Sequence, residues 1–177
     1  MGKNNLLANI HWLGHSAFRI ETAEGIIIYI DPFHLKKNLP KADLILCTHE
    51  HHDHCSPEDI EKITSLRTEL AGPPGVESKL APKKVLPAKP FRIFTAGGII
   101  VEPIPAYNID KPYHTREMGH VGYLLTVGGI RIYHAGDTDF IPEMRTLKAD
   151  VALLPIGGTY TMDAAEAAKA AAVIKPT

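Results

Sequence analysis

The stretch Thr48-His49-Glu50-His51-His52-Asp53-His54 decides the reading of this chain, because it sets four potential metal ligands, His49, His51, Asp53 and His54, within six residues. Neutral imidazole together with carboxylate suits a borderline divalent cation, Zn first and Mn, Ni or Fe(II) as alternatives. The residues before the cluster, Asp43-Leu44-Ile45-Leu46-Cys47, read as a buried strand ending at Thr48. The histidines then sit on the loop leaving that strand, where side chains converge on a cleft. After the cluster, Ser56-Pro57-Glu58-Asp59 offers an N-cap, a proline at N1 and an acid at N3. These start a helix expected to run to about Leu66. A solvated histidine run is the plain alternative, and the regular structure framing this internal cluster argues against it.

The remaining strands are read from alternation and β-branched content: Ile10 to Leu13, Ala17 to Glu21, Ile26 to Ile30, Arg92 to Thr95, Ile99 to Ile104, Tyr123 to Val127, Ile130 to His134 and Val151 to Leu154. Ala23-Glu24-Gly25 and Gly128-Gly129 read as hairpin turns, and Pro73-Pro74-Gly75 with Ala81 to Pro90 as loops around short elements. Asp163 caps an alanine-rich helix reaching about Ile174. With 177 residues and 45% hydrophobic content there is enough for one substantial core, and no linker or repeat divides it. The expectation is a single domain spanning 1–177.

Charge and targeting features exclude several classes. Nineteen basic against 20 acidic residues, a net charge of -1, provide no broad cationic face for nucleic acid or an anionic membrane. Met1 to Leu7 lack a signal-peptide core behind them, and no apolar run approaches a membrane span. The expected location is cytoplasmic, and the expected partner a small-molecule substrate. The two cysteines, Cys47 and Cys55, flank the cluster and suggest no disulfide framework. Cys47 reads as core filling, and Cys55 as either packing or a soft ligand.

On these residues the chain resembles the metallo-β-lactamase superfamily. His49-x-His51-x-Asp53-His54 is similar to its HxHxDH signature, and Tyr133-His134-Ala135-Gly136-Asp137-Thr138 to its strand-end GD(T/S) motif. Trp12-Leu13-Gly14-His15-Ser16-Ala17 and Leu153-Leu154-Pro155-Ile156-Gly157-Gly158-Thr159 resemble a subgroup of uncharacterised metal-dependent hydrolases similar to ascorbate-6-phosphate lactonases. The resemblance implies an α/β fold, the αββα four-layer sandwich, and up to two metal ions. His49 and His51 would belong to the first ion, Asp53 and His54 to the second as the catalytic pair, and Asp137 would bridge both. A bridging anionic oxygen offsets the repulsion between two cations.

Some positions stay open. The loop after Pro103-Ile104-Pro105 carries Ala106-Tyr107-Asn108 where relatives have the first ion's third histidine, leaving His114 as the choice and Asn108 or His120 as substitutes. The chain stops at Lys175-Pro176-Thr177, where the resemblance expects a further strand bearing a last histidine. The expectation is therefore a domain truncated at its C-terminus and lacking that strand, or else compensation by His15 or His134. His15, Tyr107, Asn108 and Tyr160 are expected to line the substrate site, with Lys111 and Arg116 as anion contacts or surface residues. His134 and Asp31 read either as orienters of ligands or as ordinary strand and turn residues.

The expected function is hydrolysis of a small ester, lactone or phosphoester by a metal-activated water. The alternatives are a nuclease of the same superfamily, which charge and length oppose, and a non-catalytic metal-binding module. A flavodiiron-type oxidoreductase is opposed by His51, which stands where that type carries an acid.

Overall fold

Ile10–Gly14 (β1), Ala17–Glu21 (β2) and Ile27–Ile30 (β3) pair antiparallel in sequence order, as their alternation predicts. The computed structural model describes residues 9–177, so the N-terminal stretch Met1 to Leu7 lies outside the described residues. Leu44–Leu46 (β4) then joins β3 in parallel, and Glu69–Gly72 (β5) and Leu86–Pro87 (β6) extend the sheet to six strands in the order β1-β2-β3-β4-β5-β6. Parallel neighbours need a crossover. Helix Pro57–Ile63 (α1) makes the one between β4 and β5, and Pro74–Leu80 (α2) the one between β5 and β6. All three residues of β4 are buried, the mark of a strand covered on both faces.

Several elements depart from the sequence expectation. Helix α1 has the expected Ser56 cap and Pro57 at N1, but it ends at Ile63 and not near Leu66. Both the N–H and the hydroxyl of Thr64 donate to Ile60 O, which closes the last turn and turns the chain out. Strand β5 was not expected, because its apolar residues, Leu70 and Ala71, are too few to show a period. Pro73 and Pro74 begin helix α2, at its N-cap and first turn, where a missing N–H costs nothing. The strand expected over Arg92 to Thr95 is Phe94–Ala96 (β7). Arg92 instead closes a turn onto Lys89 O.

Strand β7 belongs with Ile99–Pro105 (β8), Val121–Val127 (β9), Ile130–His134 (β10) and Val151–Leu153 (β11) to a five-stranded sheet, ordered β11-β10-β9-β8-β7. Strands β8, β9 and β10 are antiparallel and β11 runs parallel to β10. Gly128 and Gly129 turn the β9–β10 hairpin with φ of 55° and 80°, the left-handed pair a two-residue type I′ turn requires. Helix Ala164–Ile174 (α3) opens with a capping box between Asp163 and Glu166 and buries Ala167, Ala170 and Ile174.

Two compact units make up the chain: residues up to Ala88 with Thr95–Ile99, and Lys89–Phe94 with Ile100–Thr177. Each has its own core. Tyr29, Ile45, Ile60, Ile63 and Val76 fill the first, and Tyr133, Ile141, Met144, Met162 and Ile174 the second. Burying an isoleucine such as Ile60 contributes about 1.5–3 kcal/mol, which anchors α1 in the first core. Cys47 and Cys55 both lie in the first core with their thiols hydrogen-bonded to each other, so Cys55 packs. That bond and burial push the Cys47 thiol well above its ordinary pKa. Among the described residues no helix is long and apolar enough to cross a membrane.

Candidate metal centre

In the first unit the geometry starts from two neighbouring strand ends. Parallel pairing sets Ile30 beside Leu46, and the Asp31 N–H donates to Leu46 O at 2.9 Å. Asp31 leaves β3 in the left-handed region, φ 48°, which aspartate tolerates better than most residues. Its carboxylate is fully buried and accepts from Thr48 N, Thr48 Oγ1 and His54 Nδ1, each at 2.7 Å. Asp31 therefore orients His54 as well as making a turn.

These bonds fix protonation. Because Asp31 can only accept, His54 carries its proton on Nδ1 and offers a lone pair at Nε2. The Thr48 hydroxyl spends its proton on Asp31, so its oxygen accepts from His49 Nδ1 at 2.9 Å. His49 is thereby held in the same tautomer, with Nε2 as the lone-pair atom. One buried carboxylate prepares two histidines, the second through a hydroxyl relay.

The candidate ligand atoms stand at metal-compatible separations. Tetrahedral coordination at 2.0–2.1 Å puts neighbouring ligand atoms about 3.3 Å apart, and His49 Nε2 lies 3.1 Å from His51 Nδ1. Asp53 Oδ2 lies 3.9 Å from His54 Nε2 and 2.9 Å from His15 Nε2. Burial pushes the Asp53 carboxyl up, but the hydrogen bond from His15 and the nearby His54 outweigh it and leave it below the ordinary value. His52 is exposed and edge-on to Phe33, with Nδ1 3.7 Å from Asp53 Oδ1. The donor set of nitrogen and carboxylate oxygen fits the cation expected from the sequence.

In the second unit the loop after β8 is built around His114. Asn108 N donates to His114 O at 2.7 Å, and His114 N donates to Asn108 Oδ1 at 3.0 Å. The Asn108 amide nitrogen donates to Asp139 Oδ1 and to Tyr160 O. The carboxamide is thus committed to clamping the loop. His114, buried, directs Nε2 to within 3.4 Å of Asp137 Oδ2 and has Nδ1 3.3 Å from His120 Nδ1. Asp137 itself is delivered by a turn in which His134 Nδ1 accepts from Gly136 N at 3.3 Å. Gly122 on β9 must be glycine, since a Cβ there would come within 2.6 Å of the His134 and Ala135 carbonyl oxygens.

Sequence reasoning did not find Asp139 or the Thr48 relay. Asp139 gathers Asn108, Ile109 N and Lys111, and Lys111 also donates to Thr161 O, so this lysine is a structural tie. The only signals in the sequence were a second acid two residues after Asp137 and a hydroxyl before His49. Tyr107 and Asn108 line an open cleft of about 420 Å³ together with Lys111 and Arg116. Arg116 sits over the Tyr107 ring at 5.0 Å and pairs with Glu143, which also accepts from the Tyr107 hydroxyl. Burial and Glu143 push that phenol's pKa up. Tyr160 is exposed and edge-on to Tyr113.

Histidines on strand-end loops, two of them oriented by the buried Asp31, set on two mixed sheets with helices, mark a metal-dependent hydrolase of the α/β class. The profile of the beta-lactamase superfamily domain matches residues 9–177, and the chain belongs to the metallo-β-lactamase superfamily and has its fold. It is 33% identical to a UPF0173 metal-dependent hydrolase of Caldivirga maquilingensis, over 94% of this chain and 78% of that protein. It is 36% identical to one of Nitratidesulfovibrio vulgaris, over 94% and 75%. Among solved structures, a Parabacteroides distasonis protein provisionally assigned as a metal-dependent hydrolase matches with TM-score 0.87 and 38% identity, over 94% of this chain and 78% of that one.

Proposed function

We propose that this chain hydrolyses a small-molecule ester, lactone or phosphoester in the cytoplasm, using one or two zinc ions. The ligand assignment is the one the motif resemblance carries: His49, His51 and His114 for one ion, Asp53 and His54 for a second, Asp137 between them. A bound divalent ion would supply an acidified water and positive charge opposite the developing oxyanion. The chain's own contribution is preparation. Asp31 holds the Nε2 lone pairs of His49 and His54 ready, and Asn108 clamps the backbone of His114.

The observation that carries the reading is the Asp31–Thr48–His49 relay with the parallel Asp31–His54 bond, since a buried acid spent on ligand tautomers has no purpose in a solvated histidine run. The exposure of His51 and partial exposure of Asp53 support an open site, where a purely structural ion would be closed over. Two buried cysteines in the thiol form accord with a reducing compartment. Tyr107 and Tyr160 are the proposed substrate-lining residues.

The test is the double substitution His49→Ala, His51→Ala, measured for metal content and for hydrolysis of aryl esters, lactones and aryl phosphodiesters. Loss of metal and of all hydrolysis together is the expected result. Unchanged metal content in the double variant would refute the ligand assignment.

A further inference from the structure

His15 occupies a left-handed backbone position that few residues other than glycine, asparagine, aspartate and histidine adopt. It follows Gly14 in the tight turn between β1 and β2, with φ of 47°, a left-handed conformation that glycine or asparagine would adopt with less strain. The Trp12 indole N–H donates to His15 O at 2.8 Å and braces that backbone. Backbone strain of this kind persists where a side chain is needed in one place. Here the imidazole Nε2 is delivered to 2.9 Å from Asp53 Oδ2, with the His15 ring edge-on to His54 at 5.3 Å and to Phe33 at 5.7 Å.

Three potential ligand atoms converge at this point. One each from His15, Asp53 and His54 lie within 4.8 Å of one another, all inside the first unit. The separations of 2.9 and 3.9 Å from Asp53 Oδ2 bracket the roughly 3.3 Å edge of a tetrahedral site. The tautomer of His54 presents Nε2 as its lone pair, and the half-exposed His15 ring leaves open positions for water or substrate.

We propose that His15 is a further protein ligand of the ion held by Asp53 and His54, so that the first unit contributes two histidines and one carboxylate to it. Such a set with open positions suits Fe(II) as well as Zn. The inference rests on the reading of Asp53 and His54 as ligands given above, and it assigns to the β1–β2 turn a residue no motif identifies as a ligand.

The test compares the 177-residue chain with His15→Asn and His15→Gln by counting bound Co(II), measuring its affinity against a competing chelator and recording its visible spectrum. Asparagine suits the left-handed backbone but is too short to reach the ion, and glutamine can still donate a hydrogen bond to Asp53. Losing an orienting partner costs roughly 10–100-fold in metal affinity. Both variants are therefore expected to lose about 100-fold or more for one of two ions, with a changed spectrum and the other ion retained. Full affinity and an unchanged spectrum in His15→Gln would overturn the proposal, leaving His15 a positioning residue for Asp53. No cobalt bound by the unsubstituted chain would instead overturn the ligand reading on which it rests.

Discussion

Replacing Asp31 with Asn should uncouple the two candidate ligand histidines, His49 and His54, without disturbing size or backbone, because asparagine tolerates φ of 48° as well as aspartate does. The amide oxygen can keep the bond from Thr48 N. The amide nitrogen then stands where Oδ2 accepted from both Thr48 Oγ1 and His54 Nδ1. To meet a donor there, His54 must move its proton to Nε2, and the Thr48 hydroxyl must turn toward His49 Nδ1. Both histidines shift to the tautomer that cannot offer Nε2 to a cation. An orienting partner is worth about 10–100-fold in metal affinity, about 1.4–2.8 kcal/mol, and two histidines respond here, so about 100-fold is expected. Exchanging two charge-assisted bonds for neutral ones should also cost the metal-free protein about 1–3 kcal/mol. Zinc titration against a chromophoric chelator and urea unfolding without metal measure the two effects. Thr48→Val, which cuts only the branch to His49, should lose about tenfold. Zinc affinity of Asp31→Asn within threefold of the unsubstituted chain would refute the tautomer argument.

Asn108→Ala removes one acceptor and two donor contacts from a nearly buried amide. It is expected to lower unfolding stability by roughly 2–3 kcal/mol and to reduce metal affinity through the freed His114 loop, both read by denaturation and titration. Asp59 carries a pH prediction. Burial pushes its carboxyl up, but Lys62 at 2.7 Å and the Leu35 N–H hold it below the ordinary aspartate value. Its folded pKa is depressed, so its stabilisation is present above the unfolded value, about 3.9, and is lost as pH falls through the folded one. Asp59→Asn should flatten the loss of metal-free stability on acidification below about pH 4; an unchanged acid limb would assign that slope to other carboxylates.

Local signals determined much of this protein. The strand, ligand loop and capped helix around His49 to His54 were legible because Ser56, Pro57 and the apolar run before Thr48 each act within a few residues. The β9–β10 hairpin and the Asp163 cap were legible for the same reason. Short elements without a period were not. Strand β5 exists because β4 and β6 flank it, and α1 stops at Ile63 because Thr64 turns extended and caps Ile60 O with both its N–H and its hydroxyl.

At the site, the residue types needed for a cation were evident from the motif, yet their preparation was not. Asp31 and Thr48 are 17 residues apart, and Asp31 and His54 are 23 apart. Only the parallel register of β3 on β4 brings that carboxylate under both histidines. Asn108 looked like an imperfect ligand until its amide was found spent on His114, Asp139 and Tyr160. His15 meets Asp53 across 38 residues through a strained turn. The sequence by itself determined which atoms are available to bind a metal. Which proton each histidine keeps, and which neighbour holds it, was decided by tertiary structure, because hydrogen bonds act at about 3 Å in space and not along the chain.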